Sequence, residues 1–115
     1  MVMDVKGFVP MISNLFKAAA PGKLVEMLHT SNSGIRESLL TLEVYVRGET
    51  ATEKLKTVKA VWKTILPKIK HLAFGSEIEL RSSSVEAKPD RMIGGPDVYI
   101  YITFTPVDRR YLVAN

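Results

Sequence analysis

Between Leu39 and Leu72 the hydrophobic period of the chain changes once, and the change marks its two clearest elements. Leu40, Leu42, Val44 and Val46 alternate with Thr41, Glu43, Tyr45 and Arg47. A period of two predicts a strand with one face on a core and the other mostly wet. Gly48 ends the alternation, and Thr50-Ala51-Thr52-Glu53 has the spacing of a capping box, so a helix is expected to start close to Ala51. Along it Leu55, Val58, Val61, Trp62, Ile65, Leu66 and Ile69 fall within an arc of roughly 140°, a sheet-facing stripe. Trp62 sits on that stripe and reads as core packing rather than as a ring for stacking a ligand. Pro67 removes a ladder donor and disfavours helical geometry at Leu66, which predicts a kink or break and then one more turn ending at Phe74-Gly75.

The flanking stretches supply the remaining elements. Phe8, Met11, Ile12, Leu15 and Phe16 repeat at helical spacing and Pro21-Gly22 stops them, predicting an amphipathic helix from Phe8 to Ala20 that docks on the sheet. Met1 to Ala20 carries Asp4 and Lys6 and no continuous apolar core of a signal peptide, so it is expected to remain in the mature protein. Lys23 to Thr30 fits a helix or a strand. The turn signal Ser31-Asn32-Ser33-Gly34 favours a hairpin of residues 24–30 with 36–47. Glu77-Ile78-Glu79-Leu80-Arg81 alternates again with Ile78 and Leu80 inward, and the strand is free to extend to Val85. Glu86 to Pro96 reads as a long loop that either moves or meets a partner. Asp97 to Thr105 is a second well-marked strand, with Val98, Ile100, Ile102 and Phe104 inward and Tyr99, Tyr101, Thr103 and Thr105 outward. Residues 109–115 read as a frayed tail or as an arm reaching a neighbour.

Composition narrows the classes. A chain of 115 residues is one domain, residues 1–22 being its N-terminal helical part, and it is small enough to gain from oligomerising. No apolar run approaches the ~20 residues of a membrane span. With no cysteine, a disulfide framework and thiolate metal sites are excluded. The net charge of +4 is modest, but residues 53–70 hold six lysines against one acid. Lys56, Lys59, Lys63 and Lys70 line one flank of the helix, a solvated face or a surface for DNA or an acidic partner.

Catalytic chemistry finds no foothold in the sequence. Glu77 and Glu79 would share the outer face of a strand, but an acid pair needs a cleft and divergent pKa values to do acid–base work. His29 and His71 are far apart in sequence and read as ordinary polar residues. Gly94-Gly95 lacks a phosphate-binding context. No catalytic residue, metal ligand or cofactor site is expected, and the chain does not read as an enzyme.

The order of elements is helix, strand, strand, helix, strand, strand. It predicts an α+β fold, a mostly antiparallel sheet of about four strands with two helices packed on one face. The other face, carrying Glu43, Tyr45, Arg47, Tyr99 and Tyr101, would be left amphipathic, which suits assembly with copies of itself.

Over roughly residues 38–108 the chain resembles the small tail-terminator and head-to-tail completion proteins of tailed bacteriophages, also described as minor capsid proteins. The resemblance lies in LTLEVYVRGE, the Lys-rich amphipathic helix that follows, KPDRMIGGPD, and the closing strand VYIYITFTPVD. It implies a virion structural protein of the tail or neck, assembled in the host cytoplasm. The expected assembly is a homo-oligomeric ring, commonly a hexamer, that caps the tail tube, joins it to the neck connector and lets DNA pass. Interface candidates are Tyr45, Arg47, Arg91, Tyr99, Tyr101, Arg109 and Arg110, with the lysine flank facing DNA or another ring. The alternative is a small nucleic-acid-binding module, its lysine helix tracking phosphates and Tyr99 and Tyr101 stacking bases. A third reading is a small-molecule enzyme with a pocket between helices and sheet.

Overall fold

The computed structural model describes residues 3–88 and 94–107. Arg91, Arg109 and Arg110, and with them the 109–115 segment, lie outside the described residues. The elements in chain order are α1 (Phe8–Ala19), β1 (Leu24–Asn32), β2 (Ser38–Val46), α2 (Ala51–Gly75), β3 (Ile78–Ala87) and β4 (Val98–Pro106). The four strands form one antiparallel sheet in the order β1-β2-β4-β3, and both helices cover the same face of it. This is the expected α+β architecture. Because β2 and β3 are each antiparallel to β4, they are parallel to each other, and α2 carries the chain across β4 to the far edge.

The segment that fitted either helix or strand is β1, paired with β2 in the register Met27↔Val44, His29↔Leu42 and Ser31↔Leu40. Ser31 and Asn32 belong to the strand, so the turn lies at 33–37 rather than at 31–34. Gly34 is required there, since a Cβ would collide with the Glu37 carbonyl oxygen. A clasp closes this end of the sheet. The fully buried Ser38 hydroxyl accepts from the Gly34 N–H at 3.1 Å and donates to the Met3 carbonyl at 2.7 Å, while the Met3 N–H donates to the Gly34 carbonyl at 3.1 Å. The chain ahead of α1 is thereby tied to the hairpin.

The capping box forms with a small displacement. The Glu53 N–H donates to the Thr50 hydroxyl at 3.1 Å, and the Glu53 carboxylate accepts from Glu49, one residue before the cap, also at 3.1 Å. Of the kink or break expected at Pro67 the break does not occur: α2 is one helix of 25 residues with Pro67 inside it. Pro67 and Lys63 are both exposed, so the Lys63 carbonyl deprived of its helical donor can turn to water. On the opposite side Ile65 and Ile69 hold the same turns in the core. The helix ends at Gly75 as expected, with the Ser76 N–H reaching back to the Leu72 and Ala73 carbonyls.

A second correction concerns Glu77, which is not beside Glu79 on a strand. It precedes β3 with φ +64°, an uncommon left-handed conformation for a side chain of its size. β3 runs past Val85 to Ala87 and bulges between Leu80 and Ser82, which leaves Arg81 as the extra residue at the sheet edge. The connection to β4 is correspondingly shorter than the stretch from Glu86 to Pro96.

The core lies between one sheet face and the two helices. Leu40, Leu42 and Val44 of β2 and Ile100, Ile102 and Phe104 of β4 meet Val58, Trp62, Ile65 and Ile69 of α2 and Ile12 and Phe16 of α1. Phe8 stacks on Phe104 with ring centroids 5.3 Å apart. Trp62 is only 5 % exposed, and its indole N–H donates to the Ser83 hydroxyl on β3 at 3.0 Å. Replacing Trp62 with Ala is expected to cost about 3–5 kcal/mol in a denaturant titration, by loss of contacts and creation of a cavity. A soluble variant of unchanged stability would place the side chain outside the core.

Candidate assembly surface

The face of the sheet away from the helices carries the sequence-predicted tyrosines. Register places three rows of outward residues across it: Glu26 and Tyr45; Leu28, Glu43, Tyr99 and Glu86; and Thr30, Thr41, Tyr101 and Ser84. A fourth row holds Asn32, Leu39, Thr103 and Ser82. No helix covers these rows among the described residues. Their exposed apolar members are Leu28 at 42 %, Leu39 at 43 % and Tyr101 at 39 %.

The tyrosines form a cluster rather than a set of separate rings. Tyr99 and Tyr101 stack with centroids 5.8 Å apart and planes 12° from parallel. Tyr99 faces outward as its alternation predicts, yet it is only 9 % exposed, with neighbours on both adjoining strands beside it. Tyr45 is half-buried. The cluster is bordered by carboxylates, Glu43 and Glu86 standing directly opposite Tyr99 on the two neighbouring strands and Glu26 opposite Tyr45.

This setting favours the neutral form of two of the phenols, Tyr45 and Tyr101. Loss of water contact raises the pKa of Tyr45 above its ordinary value of 10.0, and the negative charges of Glu43 and Glu26 add to the shift. Tyr101 is raised likewise, by desolvation first and by Glu86 second.

Arg47 follows the last residue of β2 and is exposed; its backbone N–H donates to the Lys23 carbonyl at 2.8 Å. Lys56, Lys59, Lys63 and Lys70 are all exposed along α2, whose buried side faces the sheet. The lysine flank and the tyrosine cluster therefore occupy opposite surfaces of a two-layer body whose shortest dimension is 19 Å. The structure does not bring them together.

A search of family models, of curated proteins and of solved structures returns no match to this chain. What the surface does must be argued from its own residues. Among the described residues no group of three His, Asp or Glu side chains is placed to hold a metal ion. An apolar groove of about 440 Å³ between the helices is lined by Leu15, Pro67, Lys68, His71 and Leu72, with no carboxylate to pair with the imidazole. A second hollow of about 270 Å³ includes Asp4, Ser76 and Glu77. There the Ser76 hydroxyl is engaged with the Leu72 carbonyl and Asp4 with the Lys6 N–H. Among the described residues no helix is long and apolar enough to cross a membrane.

One residue that organises this surface escaped the sequence reading. Asp97 accepts from the Val46 N–H at 3.1 Å, pairs with Lys54 of the first turns of α2 at 3.1 Å, and donates its own N–H to the Val44 carbonyl at 3.1 Å. It fixes the end of β2, the start of α2 and the entry to β4 to one another. The available signal was an aspartate directly after Gly-Gly-Pro and before an alternating strand, a position where a short carboxylate commonly caps backbone donors.

The raised phenols make a pH prediction with a definite sign. Their pKa values are higher folded than unfolded, so the stability they contribute is present below about pH 10 and is lost as pH rises through the folded values. Melting temperature should fall across that alkaline window, and the Tyr45→Phe, Tyr101→Phe double variant should fall less steeply. Identical slopes for the two proteins would contradict the assignment.

Proposed function

We propose that the protein is a structural subunit of a tailed-bacteriophage virion, a tail terminator or neck-completion protein that assembles into a ring, commonly a hexamer, capping the tail tube and joining it to the head connector. Its work is association geometry rather than chemistry. The observation that carries the reading is the sheet face that no element covers among the described residues, where Tyr45, Tyr99, Tyr101, Leu28 and Leu39 form an aromatic and aliphatic patch. Aromatic residues over a partly desolvated surface are the composition of a subunit interface. The resemblance of residues 38–108 to the phage family supplies the identity of the assembly, with tail tube and connector proteins as partners and DNA passing through the lumen.

The nucleic-acid reading is weaker on the same geometry. A strand stacked on Tyr99 and Tyr101 would run over Glu43 and Glu86, and the lysines meant to follow its phosphates lie on the other side of the body.

Light scattering over a range of concentrations, at low and high salt, tests the proposal. A defined multiple near six, or a monomer converting to it with concentration, is the expected result. A monomer or dimer at every concentration and salt would overturn it, and a steeply salt-dependent affinity for DNA or RNA would then favour the alternative.

A further inference from the structure

Among the described residues the sheet face is rich in carboxylates and the exposed flank of α2 is rich in lysines. On the open sheet face the charged residues that the strand register turns outward are Glu26, Glu43 and Glu86, with Glu79 at the β3 edge sharing a hollow with Lys70 and Phe74, and with the cations Arg47, just past β2, and Arg81, at the bulge of β3, at the margins. On the helical side, α2 presents Lys56, Lys59, Lys63 and Lys70, all exposed, within an arc of about 60° on the solvent side of its buried stripe. From Lys56 to Lys70 the row extends about 21 Å, close to the span of the outward rows from Glu26 to Asn32 at about 3.3 Å per residue. The exposed Phe74 lies in line with these lysines, an apolar side chain within the basic row.

Resting on the reading of the chain as an assembling subunit, we propose that the occupant of the acidic tyrosine face is the lysine flank of α2 from a second copy, so that subunits join head to tail. A twofold face-to-face pairing of the sheets would set glutamates against glutamates around the tyrosine cluster. Like charges across a desolvated contact oppose association, whereas the lysine row answers them in sign. The contact is heterologous, because it joins two different patches. Repeated, it closes into a ring when its rotation permits and otherwise continues as a filament.

Charge reversal on each surface separately tests this. Glu43→Lys with Glu86→Lys alters the sheet face, and Lys59→Glu with Lys63→Glu alters the helix flank; all four side chains are exposed or half-buried, and neither pair touches the core. Each double variant alone should need about tenfold or more higher concentration for half-assembly by sedimentation velocity. Mixed in equal amounts they should co-assemble, since every contact again joins opposite charges. If the helix-flank variant assembles like the wild type, the head-to-tail contact is wrong although the assembly reading stands. A wild-type chain that remains monomeric throughout removes both. If lysine reversal leaves the assembled mass unchanged and instead abolishes salt-sensitive binding of an oligonucleotide, the flank serves nucleic acid and the proposal falls.

Discussion

The fold depends on covering one face of the β2–β4 pair. These central strands alternate strictly, and Leu40, Leu42, Val44, Ile100, Ile102 and Phe104 would each expose an aliphatic or aromatic side chain without a layer above them. Burying such residues stabilises by about 1.5–3 kcal/mol apiece, so the helical layer is the main source of the folding free energy. A chain of this length has two helices to spend on that purpose, and both go to the same side. Among the described residues the other side of the sheet is covered only by its own side chains.

That asymmetry gives the tyrosine cluster its character. Tyr99 is closed over by its strand neighbours, Tyr101 stacks on it, and Glu43 and Glu86 flank it directly on the two adjoining strands. Asp97 serves the same region from the backbone side, tying the ends of β2 and β4 to α2 so that the patch sits on a fixed frame rather than on a loop. The lysine row rides on the helix that the core holds most firmly. The lysine row and the tyrosine cluster are thus carried on separate surfaces of one frame.

Much of this was legible in the sequence because the decisive residues obey a simple period. The alternation around Leu42 and Ile100 and the stripe through Trp62 gave the strands, the long helix and the inward faces directly. Where the period is short or interrupted, tertiary context decided: β1 is a strand because β2 offers it a partner in register, and α2 passes through Pro67 because Ile65 and Ile69 anchor the turns on either side. The site was only half legible. Alternation turned Tyr45, Tyr99 and Tyr101 outward, but the burial of Tyr99, the side-chain links of Asp97 and the separation of the lysines from the tyrosines depend on how strands and helices lie against each other in space.

Zero-length carboxyl–amine cross-linking followed by mass spectrometry tests the central claim most directly. Glu43 lies on the outer face of a central strand and Lys63 on the solvent side of the helix behind it, so a bond between them cannot form within one chain. The account predicts a Glu43–Lys63 or Glu43–Lys59 link in the assembled species, formed between differently isotope-labelled copies and lost on dilution to monomer. An assembled species in which Glu43 and its tyrosine neighbours stay as reactive as in the monomer would contradict it.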